Sequence, residues 1–95
     1  MRAFITVEKA SGEYPINPIV RGGQFHFYFD IPYRSPVGKQ LGRVHRRDRN
    51  CRYSVRLICD DGSVLCEHSG IPLHTPGLPS RNGRWLLHHR MSIFD

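Results

Sequence analysis

A strict alternation of apolar and polar side chains between Gln24 and Tyr33 constrains the fold of this chain more than any other feature of its sequence. Every second position is apolar: Phe25, Phe27, Phe29 and Ile31. The positions between them carry His26, Tyr28 and Asp30. A period of two is typical of a β-strand with one buried and one exposed face. The stretch therefore predicts a strand whose phenylalanine-bearing face lies in the core.

The composition extends this preference to the whole chain. Val, Ile, Phe and Tyr supply twenty-two of the 95 residues, against two alanines and three glutamates. β-branched and aromatic residues favour strands, whereas good helix formers are scarce. We predict strands near 2–9, 24–33, 40–47, 51–59, 63–68 and 85–94, an irregular loop over 69–83, and no helix.

Short strands with closely spaced turns are typical of a small all-β domain. We therefore expect residues 1–95 to form a single β domain, a small antiparallel barrel or sandwich of about five to six strands. An SH3-like arrangement is preferred over an OB-like one, because an OB-fold usually contains a helix and the sequence predicts none.

The charge balance predicts the kind of partner. Fourteen Lys and Arg stand against eight Asp and Glu, and twelve of the fourteen are arginines. The planar guanidinium binds phosphates and carboxylates better than an ammonium does. A polyanion is therefore expected as the partner, either nucleic acid (RNA or DNA) or an acidic protein. No apolar run approaches the roughly 20 residues that span a bilayer, so we expect a cytoplasmic protein without membrane association.

Six of the arginines lie between residues 43 and 56, and strand pairing predicts where they point. A hairpin turn at Asp61-Gly62 sets Leu57 opposite Cys66 and Arg56 opposite Glu67. Pairing strand 40–47 with strand 51–59 through Val44 and Val55 leaves one outer face that carries Arg43, His45, Arg47, Arg52 and Arg56. Directly opposed arginines cost about 0.2–1 kcal/mol per pair, so this arrangement indicates a binding function.

The candidate binding residues on this interpretation are Arg43, His45, Arg47, Arg49, Arg52, Arg56 and Tyr28. We predict a non-enzymatic protein that binds nucleic acid mainly through phosphate contacts, with exposed aromatic rings stacking on bases. The alternative is a small protein-binding inhibitor or adaptor that docks its basic face and Pro-rich loop on an acidic protein. An exposed apolar patch of Ile71, Leu73 and Leu78 would favour that alternative. A charged face that binds nothing is the third interpretation.

We name no cofactor and no metal-binding residues, because the cysteines and histidines do not match a recognised ligand pattern. Cys51, Cys59, Cys66 and His68 are ligand types for zinc, but they lack the paired spacing of structural zinc sites, which leaves metal binding open. Cys59 and Cys66 are expected on the core face as small buried residues. Adjacent His88 and His89 must point to opposite faces of a strand, so they do not form a common site. No residues are predicted to be catalytic.

Overall fold

A computed structural model of the protein describes residues 1–47, 51–74, 78 and 80–92. In chain order its elements are β1 (Arg2–Val7), β2 (Ala10–Pro15), β3 (Ile19–Arg21), β4 (Gln24–Pro32), α1 (Pro36–Arg46), β5 (Cys51–Ile58), β6 (Val64–Leu73), β7 (Ser80–Arg81) and β8 (Arg84–Ser92). The strands form two antiparallel four-stranded sheets. Sheet I has the order β2-β1-β5-β6, and sheet II has the order β3-β4-β8-β7.

The hydrophobic core lies between the inner faces of the two sheets. The alternation that defines β4 places Phe27, Phe29 and Ile31 inside, where all three are buried. Sheet I contributes Ile5 and Leu57 to the same cluster. The all-β prediction is confirmed at this level. Within the described residues the strands form two separate sheets and not a closed barrel.

One predicted strand is wrong: the segment 40–47 belongs to helix α1. Ser35 caps the helix, since its hydroxyl accepts a hydrogen bond from the Gly38 amide at 3.0 Å, and Pro36 follows at a position that tolerates proline. Val37, Leu41 and Val44 recur at helical spacing and are fully buried. The dipeptide Ser35-Pro36 is typical of a turn and equally of a helix start. An SH3-like arrangement was preferred because no helix was predicted; α1 removes that reason, and the choice between an SH3-like and an OB-like arrangement stays a prediction.

The hairpin between β5 and β6 confirms most of its predicted register. Arg56 lies opposite Glu67 and Leu57 lies opposite Cys66, as the turn signal implied. The turn itself is longer than two residues: the Cys59 amide donates to the Ser63 carbonyl at 2.9 Å. A register shift beyond Leu57 places Ile58, not Cys59, opposite Val64.

The segment 69–83, predicted as an irregular loop, carries strands, because β6 continues to Leu73 and β7 spans Ser80–Arg81. Residues 11–23, which lie outside all the predicted strands, contain most of β2 and all of β3. Ile71, Leu73 and Leu78 form no exposed apolar patch of the kind that would favour a protein partner, because Leu73 and Leu78 are buried and Ile71 is half-buried. No helix in the described part of the chain is long and apolar enough to cross a membrane.

Candidate functional site

The structure divides the predicted arginine face between two elements. Arg43, His45 and Arg47 lie on α1 or at its C-terminal cap, whereas Arg52 and Arg56 lie on β5. The neighbours of β5 are β1 and β6, so the predicted pairs Val44–Val55, Arg43–Arg56 and Arg47–Arg52 do not form. Arg49 lies outside the described residues. The predicted outer face with opposed arginines is therefore wrong.

Several of these arginines have carboxylate or carbonyl partners of their own. Arg56 Nε lies 3.2 Å from a Glu67 carboxylate oxygen, and its guanidinium is 5.4 Å from the centre of the Phe4 ring. Arg47 Nη2 lies 3.2 Å from Glu8. Arg52 Nη1 donates to the Gly70 carbonyl at 2.8 Å. These contacts give the three arginines a role in the fold itself.

Tyr28, the remaining predicted site residue, lies on the outer face of sheet II in a row of rings. It pairs with His88 across β4 and β8, and their ring centres are 4.9 Å apart. His26 continues the row, with its ring stacked on His88 at 5.6 Å and an interplanar angle of 25°. We call His26, Tyr28 and His88 the ring ladder. Tyr28 is 62% exposed, so this aromatic face is open to solvent.

Arginines surround the ring ladder. Arg90 lies opposite His26, and Arg84 forms an ion pair with Asp30. Arg21, on the edge strand β3, lines a groove that also includes Tyr28 and His88. Within the described residues, Arg21 and Arg90 form no ion pair. We call the ring ladder together with Arg21, Arg84 and Arg90 the ladder face.

A groove of about 890 Å³ runs along the ladder face. One wall is the segment that joins β2 to β3, which contributes Ile16 and Asn17. Tyr28 and His88 form part of the opposite wall. Asp30 is the only carboxylate among the described lining residues, and Arg84 neutralises it. The groove therefore offers aromatic surface and a net positive charge.

The surroundings of His88 on the ladder face favour its neutral form. Desolvation, and then the neighbouring charges of His26 and Arg90, lower the pKa of His88 below its usual 6.5. His88 is therefore mainly uncharged near pH 7, which allows its ring to stack without a charge penalty. It becomes a cation only in more acidic solution.

The next residue, His89, lies on the inner face of the same strand. Its Nδ1 is 2.8 Å from the Tyr53 hydroxyl of sheet I, and its Nε2 is 3.4 Å from Nδ1 of His68. Burial, and then His68 and His88, lower the pKa of His89 to about 4. Burial raises the pKa of Tyr53 to about 12. This neutral pair links the two sheets, and the prediction that His88 and His89 face opposite sides is confirmed.

The cysteines form no metal site within the described residues, where no group of three or more His, Cys, Asp or Glu side chains could hold an ion. Cys59 and Cys66 are half-buried, not fully buried as expected. Burial, and then Cys59, raise the pKa of the Cys66 thiol. A protonated thiol is a poor nucleophile and a poor metal ligand.

No sequence pattern predicted a site that contains His26, His88, Arg21, Arg84 and Arg90. The sequence does indicate one part of this site, because His26 and Tyr28 share the polar face of strand 24–33. His88 and Arg90 likewise share one face of strand 85–94. Only the pairing of β4 with β8 unites the two sets, and nothing local in the sequence specifies that pairing.

Comparisons with known proteins give no family. No family model matches the chain, and searches of curated proteins and of solved structures return no significant match.

Proposed function

We propose that this protein binds single-stranded nucleic acid on the ladder face of sheet II. The observation that carries the proposal is an exposed row of rings beside Arg21 and Arg90, two arginines that form no ion pair within the described residues. The sequence predicts a nucleic-acid-binding protein with its site on the outer face of strands 40–47 and 51–59, whereas the site proposed here lies on β4 and β8.

Stacking on Tyr28 and His88 supplies the first part of the interaction. A base that stacks on an aromatic side chain contributes about 1–3 kcal/mol and requires no particular sequence. In a duplex the bases already stack on one another, so their faces are not available to the ladder. The proposed ligand is therefore a single strand with little sequence preference.

Phosphate contacts from the surrounding arginines supply the second part. A guanidinium that has no protein carboxylate to release binds a phosphate oxygen without first losing an ion pair. Arg21 and Arg90 meet this condition, and Arg84 is close enough to contribute while it holds Asp30. With two or three phosphates neutralised, we expect log K to fall against log salt with a slope of about −1.5 to −2.

The proposal is tested by fluorescence anisotropy with a dye-labelled single strand and the matched duplex. Tyr28→Ala is expected to weaken single-strand binding about 5- to 100-fold, the loss of one stacked base. The matched control is Phe4→Ala, which removes a ring beside Arg56 on the outer face of sheet I. It is expected to leave the affinity unchanged.

Two results would contradict the proposal. One is equal binding of the single strand by the wild type and by Tyr28→Ala, which would show that the ladder makes no contact. The other is competition by poly-glutamate as efficient as that by an oligonucleotide of equal charge, which would favour the acidic-protein alternative.

A further inference from the structure

A second concave surface, separate from the ladder face, lies beside helix α1. Its volume is about 380 Å³. Lys39, Arg43 and Arg46 line it on the helix side, and Tyr33 and Trp85 line it on the side of sheet II. We call it the helix groove. None of its described lining residues carries a carboxylate.

The three cations of the helix groove share one stripe of α1. Residues 39, 43 and 46 are separated by four and three positions, a spacing that places their side chains in line. Like charges at such spacings destabilise a helix by about 0.2–0.5 kcal/mol per pair. Arg43 also donates to the neutral Gln40 side chain at 3.3 Å, and it forms no ion pair within the described residues.

The helix dipole accounts for only part of this stripe. A cation in the last turn is favourable, which suits Arg43 and Arg46. Lys39 is the fourth residue of α1, near the end where the dipole disfavours a cation, and the first turn holds no acidic residue. Helix stability therefore does not explain why all three cations line the groove.

The opposite wall of the helix groove is aromatic and held in place. The Trp85 indole donates to the Gly38 carbonyl at 3.1 Å, and the ring centres of Tyr33 and Trp85 are 5.0 Å apart. Gly38 allows α1 to pack closely against the end of β4, because a Cβ at this position would overlap the Pro32 carbonyl oxygen. A Cβ on Gly42 would make only an ordinary contact with the Arg46 guanidinium, at 3.5 Å.

We propose that the helix groove binds a mononucleotide, with the phosphate held by Lys39, Arg43 and Arg46 and the base against Tyr33, whose exposed ring lies next to the buried Trp85. Cationic side chains facing aromatic rings match the two chemical parts of such a ligand. The volume of the groove falls in the range of about 300–1,000 Å³ that small-molecule sites occupy. This site does not depend on nucleic-acid binding at the ladder face.

The chain contains a built-in reporter for this test, because Trp85 is its only tryptophan. Titration with adenosine 5′-monophosphate is expected to change the tryptophan fluorescence in a saturable manner. Inorganic phosphate and adenosine, each presenting half of the ligand, are expected to bind at least tenfold more weakly. The double variant Arg43→Gln/Arg46→Gln is expected to weaken binding of the nucleotide at least tenfold. Arg2→Gln/Arg56→Gln removes the same charge from the outer face of sheet I and is expected to bind as the wild type does.

Several outcomes would overturn the proposal. A fluorescence that does not change with the nucleotide shows that the groove is not a site. Equal affinity in Arg43→Gln/Arg46→Gln shows that the phosphate is not held there. Adenosine binding as tightly as the nucleotide excludes phosphate recognition, and phosphate binding as tightly excludes recognition of the base. The proposed nucleic-acid binding at the ladder face is tested by a different experiment. Its failure would be seen in the anisotropy titration of the labelled single strand with the wild type and with Tyr28→Ala.

Discussion

Histidine has a different environment on each face of sheet II. The adjacent residues His88 and His89 of β8 show the difference most clearly. His89 is 2% exposed and has hydrogen-bond partners in Tyr53 and His68. His88 is exposed, and its contacts are the rings of Tyr28 and His26 on its own sheet. One histidine connects the two sheets, while the other presents a flat ring to solvent.

This difference separates residues that stabilise the fold from residues that we propose to bind nucleic acid. A buried imidazole whose hydrogen bonds are satisfied stabilises the packing of the two sheets. An exposed row of rings contributes little to folding, because most of its surface stays in water. The inner face of sheet II is accordingly where substitutions should affect unfolding, and the outer face is where they should affect binding.

The largest expected effect is on stability, from His89→Ala. Removing this side chain leaves a cavity beside Phe27 and deprives the Tyr53 hydroxyl of its partner, for a cost of about 2–4 kcal/mol. His88→Ala is the matched control and should change the free energy of unfolding by less than about 0.5 kcal/mol. Urea denaturation of both variants measures this, and equal losses would remove the distinction between the two faces.

The second effect is a pH dependence of stability that comes from the inner histidine. The pKa of His89 is about 4 when folded and about 6.5 when unfolded, so the unfolded chain binds more protons as the pH falls. Its contribution is complete above pH 6.5 and is lost as the pH falls to about 4, for a total of about 3 kcal/mol. His89→Leu should lose this part of the dependence. If the free energy of unfolding of the wild type and of His89→Leu changed in parallel between pH 7 and pH 4, His89 would not be the source of this pH dependence.

His88, on the outer face, leads us to expect a smaller pH effect of the opposite sign. This effect is on the affinity for a single strand and not on stability. Because the pKa of His88 is lowered, its ring gains a charge only below its usual 6.5, and a bound phosphate favours that charge. Affinity for a single strand should therefore rise about three- to tenfold as the pH falls below 6.5. His88→Gln should abolish the rise, as measured by anisotropy. An unchanged rise in that variant would assign the titration to another group.

The smallest effect distinguishes arginines on the two outer sheet faces. Arg90→Gln should make the salt dependence of single-strand binding shallower by about 0.7, the loss of one phosphate contact. Arg56→Gln should leave that slope unchanged and cost stability by at most about 1 kcal/mol, since its pair with Glu67 is solvent-exposed. Equal slopes for Arg90→Gln and the wild type would place Arg90 outside the interface.

The sequence was informative where a pattern is local. The period of two in Gln24–Tyr33 correctly predicted β4 and its buried phenylalanines, and Asp61-Gly62 correctly predicted that Arg56 faces Glu67. Helix α1 was missed because β-branched Val37 and Val44 share the core-facing stripe with Leu41, so helix spacing competed with strand propensity. The ladder face was missed because it depends on the pairing of β4 with β8, which are about 60 residues apart in the chain.

The most direct test of the central claim is an NMR titration of the ¹⁵N-labelled wild-type protein with a short unlabelled single strand. We expect the amide shifts to change along the outer face of sheet II, at Arg21, His26, Tyr28, His88 and Arg90, and to remain unchanged at Phe4 and Arg56 on sheet I. Shift changes centred on Phe4 and Arg56, or no changes at all, would contradict the account.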